Sequence, residues 1–121
     1  MSLRGLALVS GLYDLALGVT MLFFAPLAAR LFGAPEPVPL INAQLNGVFT
    51  LSLGAGYFWA REDVGPRRGY FWVAGVLAKG LGALLFLFDH FTQGSPVSYL
   101  VFVLTDGALC LLTLALLLKR S

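Results

Sequence analysis

The sequence predicts an all-α integral membrane protein, an antiparallel bundle of four transmembrane helices with both termini on the cytoplasmic side (N-in/C-in). Three observations predict it. The chain of 121 residues is 59% hydrophobic and only 12% charged, with a mean hydropathy of +0.87. Soluble domains carry about 25% charged residues, and half of that leaves too little polar surface to cover a globule of this size. The apolar residues gather in four runs, 5–25, 40–60, 69–88 and 97–118. Each is close to the ~20 residues that cross a ~30 Å hydrocarbon core. The cations also sort by side. Arg4, Arg61, Arg67, Arg68, Lys119 and Arg120 fall with the two termini, and Arg30 alone falls opposite. Lys and Arg collect in the cytoplasm, so this asymmetry sets the orientation. It also reads as contact with anionic lipid, and it argues against a nucleic-acid partner.

The length fits one domain, 1–121. The first run opens directly after Met1-Ser2-Leu3-Arg4 and continues to Ala25. A secretory signal has an apolar region of about 7–15 residues. This run is longer and contains Asp14, so it reads as a retained membrane helix. Pro26 ends it. Residues 26–39 form an interfacial segment: one or two turns over Pro26–Gly33, then an extended loop, since Pro35, Pro37 and Pro39 remove donors and fix φ.

The second run is the most polar. Asn42, Asn46 and Thr50 are spaced i, i+4, i+8 and share one helix face. Gly47 and Gly54 permit a close helix contact. Tyr57-Phe58-Trp59 and Tyr70-Phe71-Trp72 flank the charged turn 61–68, as aromatic belts flank a membrane–water boundary. The third run ends before a polar loop, Asp89 to Pro96, in which Ser95-Pro96 reads as a capped helix start. Short connections make successive helices antiparallel neighbours.

Three charges lie inside the runs. Lys79 is about 17 Å from the basic end of its helix, Asp106 about 18 Å and Asp14 about 14 Å, at 1.5 Å per residue. Thr50 joins this level and Asn46 lies one turn further out. A charge at the centre of a membrane helix costs about 2.5–3.5 kcal/mol by insertion scales, so an interior cluster of Asp14, Lys79, Asp106, Asn46 and Thr50 is expected. Asp106 is the favoured partner of Lys79, because the third and fourth helices are sequence neighbours. The second carboxyl is then protonated or shares the cation. The cluster serves either as an ion pair that fixes helix register or as a relay or polar pocket.

Other chemistry is not signalled. The single cysteine, Cys110, reads as a small buried residue, and no disulfide can form within the chain. His90 reads as a boundary residue. No catalytic constellation, metal site, phosphate loop or cofactor motif is present.

The glycine and proline placement has a further likeness. Gly11 and Gly18 precede Ala25-Pro26-Leu27-Ala28-Ala29-Arg30-Leu31-Phe32-Gly33. Asn46-Gly47-Val48-Phe49, Leu53-Gly54-Ala55-Gly56-Tyr57, Arg67-Arg68, Gly94-Ser95-Pro96 and Asp106 follow. Over nearly the whole chain this resembles the DoxX-like small four-helix membrane proteins, although Lys79 is not part of that pattern. The resemblance implies a small bacterial inner-membrane protein. Some such proteins are subunits of quinone-linked oxidoreductases. The leading functional expectation is a non-catalytic accessory subunit that docks partner helices or copies of itself and is held together by the Lys/Asp cluster. The alternatives are a small carrier or channel for protons, ions or a polar solute, and a quinone- or lipid-binding subunit.

Overall fold

In the computed structural model the described residues are 1–119, and they form five helices with no strand. Arg120 lies outside them. Helix α1 is Leu3–Phe23 and α2 is Ala25–Leu31; α3 is Leu40–Glu62. Helix α4 is Arg68–Gln93 and α5 is Val97–Lys119. Ser2 caps α1, its hydroxyl accepting from the Gly5 amide at 3.1 Å. Pro26 stands in the first turn of α2, where its missing N–H is of no consequence. Pro39 opens α3.

Helices α1, α4 and α5 are each long and apolar enough to cross a membrane. Helix α3 has the length, 23 residues, but Asn42, Gln44 and Asn46 make it less apolar. Helix α4 runs past the expected end at Phe88 to Gln93. Polar residues at Asp89 and His90 end the apolar run but do not break the helix. The break comes at Gly94, whose φ of +72° supplies the left-handed C-terminal turn. Ser95 does not cap α5, because its hydroxyl has no partner. Pro96 leads instead into a 3-10 turn, Val97–Tyr99. Within α4, Phe71–Ala78 is π-helical and returns to α at Lys79.

The helices pack as two antiparallel pairs. Helices α1 and α3 meet through glycines: a Cβ on Gly18 would lie 2.8 Å from the Gly47 carbonyl, and one on Gly54 would lie 3.0 Å from that of Gly11. Small residues of this kind let backbones touch. In the second pair, Gly75 faces Thr113 and Gly80 faces Cys110. The pairs join at the end that carries both termini, over a core of Leu6, Ala7, Tyr57, Ala60, Phe71, Ala74 and Leu117. Tyr70 donates there to the Leu53 carbonyl, across from α4 to α3.

The basic residues stitch this same end. Arg68 donates to the Leu117 carbonyl at 2.6 Å, and Arg61 to that of Arg4 at 3.2 Å. Arg67 donates to the Trp59 carbonyl and lies over the Trp59 ring. Beyond this core the pairs diverge. No residue of α4 after Ala83, and none of α5 before Thr113, is fully buried.

Candidate functional site

Where the two pairs separate, Lys79 reaches from α4 to α1. Its Nζ donates to Asp14 Oδ1 at 2.8 Å, with the two side chains 7% and 4% exposed. The ammonium also lies 5.3 Å from the centre of the Tyr13 ring and 5.7 Å from that of Tyr57. Two aromatic faces and one carboxylate therefore share the charge. This corrects the expectation that Asp106 pairs with Lys79. Adjacent helices bring backbones together, but a lysine stem is long enough to reach past its neighbour. The short Asp106 side chain stays level with Gly82, 3.8 Å from where a Cβ there would sit. Among the described residues, Asp106 makes no ion pair.

Beside Asp106, the Tyr13 hydroxyl and Thr105 Oγ1 are 2.8 Å apart and tie α1 to α5. Thr105 also donates to its own helix at Val101, so Tyr13 supplies the proton between the two hydroxyls when Thr105 donates backwards. Three buried polar atoms near the pair have no partner: Asp14 Oδ2, Ser10 Oγ and Tyr57 Oη. Asp14 is only 3% exposed, and buried polar atoms are normally satisfied.

A chamber of about 570 Å³ opens from this point between the diverging pairs. Its floor holds Asp14, Lys79, Asp106, Asn46 and Thr50; its walls include Leu17, Met21, Ala43 and Phe86. Helix α2 and the proline loop roof it with Ala28, Ala29, Pro35 and Pro37. The roof is pinned to α5. Ser98 donates to the Phe32 carbonyl, and Phe32 stacks on Phe102 at 5.4 Å, which stacks on Phe86 at 5.2 Å. Tyr99 closes the group edge-on to Phe86.

All five residues of the expected polar cluster thus line one space, though only Lys79 and Asp14 bond directly. Sequence reasoning missed the cage rings Tyr13 and Tyr57 and the wall formed by Phe32, Phe86 and Phe102. Tyr13 carried a signal, since it adjoins Asp14. A single phenylalanine in an apolar run carries none.

Arg61, Arg67, Arg68 and Lys119 all lie at the terminal end, away from the chamber. Arg68 and Lys119 line a second cavity there, of about 1020 Å³, with Trp72, Leu116 and Val64. His90 stands in the last turn of α4, and its Nδ1–H donates to the Ser95 carbonyl at 2.9 Å. Cys110 is half-buried and donates to the Val76 carbonyl at 3.4 Å. Among the described residues no three His, Cys, Asp or Glu side chains gather as a metal site. No protein-family model, curated protein or solved structure matches this chain, so the reading of the site rests on its own geometry.

Proposed function

We propose that this is a four-pass bacterial inner-membrane protein, N-in/C-in, whose chamber binds a small amphipathic molecule within the bilayer. Helix α3 is the less apolar span, but it lies against α1 through glycine contacts along the bundle, so it crosses wherever α1 crosses. The basic end then faces the cytoplasm.

The observation that carries the proposal is the placement of the chamber against the buried charges. A cluster that only fixed helix register would close on itself. Here one ion pair does close, and the remaining polar groups face a space of about 570 Å³. That is within the ~300–1,000 Å³ common for ligand pockets, and ionisable groups in a membrane interior mark such sites. The structural and the functional expectations divide between residues. Lys79 and Asp14 tie α4 to α1, whereas Asp106, Asn46 and Thr50 present polar atoms to a ligand head. The quinone- or lipid-binding and carrier readings share this chamber. The accessory-subunit reading rests on the exposed Leu and Phe faces of α4 and α5, which meet lipid equally well.

The test is retention. Protein purified from native membranes in nanodiscs is extracted for lipophilic small molecules beside Ala29→Phe and Ala43→Phe, which fill the chamber. The wild type is expected to carry a molecule that both filled variants lack. Identical extracts from folded proteins would reject a binding chamber.

A further inference from the structure

We infer that the chamber's ligand is an organic cation, an alkyl- or aryl-ammonium or its phosphonium equivalent. Its positive centre sits against Asp106, and its apolar body lies on the Phe32, Phe102 and Phe86 stack. The inference rests on the reading of the chamber as a binding site and names the chemistry it selects.

Charge is the first argument. The residues lining the chamber include two carboxylates, Asp14 and Asp106, and one cation, Lys79. Lys79 is already engaged by Asp14 at 2.8 Å and by two tyrosine rings. With all three ionised, the floor therefore carries one uncompensated negative charge, and Asp106 has no cation of its own among the described residues. In addition, Asp14 Oδ2 is buried with no partner. A lone carboxylate deep in a bilayer is costly, and a ligand cation relieves that cost. An anionic head would add to the repulsion, and beside a neutral one Asp106 would have to take up a proton, so only a cationic head uses its charge.

The walls are the second argument. Three rings stack in series along one side of the chamber, at 5.4 and 5.2 Å, with Tyr99 edge-on. Stacked on one another, the rings turn a broad apolar surface to the chamber, which suits the hydrocarbon body of the ligand, and the charge is left to Asp106. A carboxylate at one end of an aromatic-walled space suits a charge spread over a bulky apolar body. A small inorganic cation would lose its hydration shell here without enough oxygen ligands to replace it.

Purified full-length protein in zwitterionic nanodiscs is titrated with tetraphenylphosphonium and with the near-isosteric anion tetraphenylborate. Saturable binding is expected for the cation and none for the anion. Asp106→Asn should weaken the cation by roughly tenfold or more, the equivalent of one lost charge contact, while Asp106→Glu retains it. Phe102→Leu, one turn from Asp106 on the same helix face, removes a ring and no charge and should weaken it severalfold. Ala43→Phe should block it.

If both ions bind equally, Asp106→Asn changes neither and Ala43→Phe blocks both, the cation assignment is wrong and the chamber reading stands. If Ala43→Phe changes neither probe's binding, both readings are wrong. Absence of saturable cation binding to folded wild type rejects the cation assignment, and the retained-molecule extraction then decides the chamber separately.

Discussion

Lys79 and Asp14 show what a single pair of side chains can settle. Both are almost fully buried, so removal of either leaves an uncompensated charge. Lys79→Met is expected to destabilise by about 3–5 kcal/mol, the usual penalty for half of a buried pair. Lys79→Met/Asp14→Leu should recover most of the loss, and Lys79→Met/Asp106→Asn should not, because Asp106 is not the partner. Thermal unfolding in detergent reads all three, and equal rescue by both double variants would contradict the assignment. That the two aspartates and Lys79 border one space was legible in the sequence, and so was the need of Lys79 for a carboxylate partner. The choice between them was not. Both lie at one level, and the outcome depends on where a flexible four-carbon stem points. The shared face of Asn46 and Thr50 was legible as i, i+4 spacing, and it does border the chamber.

Among the helices, the α1–α3 contact depends on glycine because backbone meets backbone. A leucine at Gly47 would press on the Gly18 carbonyl and the Leu22 amide, each 2.8 Å from the added Cβ. Overpacking of this kind costs about 1–3 kcal/mol, and more where backbone must move. Gly47→Leu should lower the unfolding midpoint clearly, and Gly65→Ala, with nothing within 4 Å of its Cβ, should leave it unchanged. The seven-residue spacing of Gly47 and Gly54 announced this contact in the sequence. The extent of α4 was less legible, since polar residues at 89–93 end an apolar run without ending a helix. The π-helical stretch was invisible, because hydropathy does not report an i→i+5 hydrogen-bond register. Such a stretch holds about one surplus residue. Deleting Val73, which is 60% exposed, should let the segment revert to α and keep Lys79 facing Asp14. Deleting Leu84 from the regular helix should turn Phe86 and all beyond it by about 100°. The two deletions are compared by unfolding midpoint and by cation binding; equal damage would contradict this view of the π segment.

For the whole molecule, composition and the sorting of cations spoke for a membrane bundle, and three of the helices have the length and apolarity to span. The orientation is testable on a Cys110→Ala background. Glu36→Cys should react with a membrane-impermeant thiol reagent added outside spheroplasts, and Ser2→Cys only after the membrane is opened. The reverse pattern would invert the topology. What composition could not announce was the divergence of the two helix pairs, which follows from where the small residues and the core aromatics fall along each helix. In the membrane placement proposed above, that divergence would put the open chamber in one leaflet and the packed terminal end in the other. Lipids of the first leaflet would then press on the roof side, and lipids of the second on the end closed around Leu6, Tyr57 and Phe71. In that placement the chamber would be coupled to the lateral pressure of a single monolayer. Lipids that crowd the outer acyl region should squeeze the pairs together and weaken ligand retention, and thinner or looser outer leaflets should favour it, with no change in the ligand or in any residue that touches it.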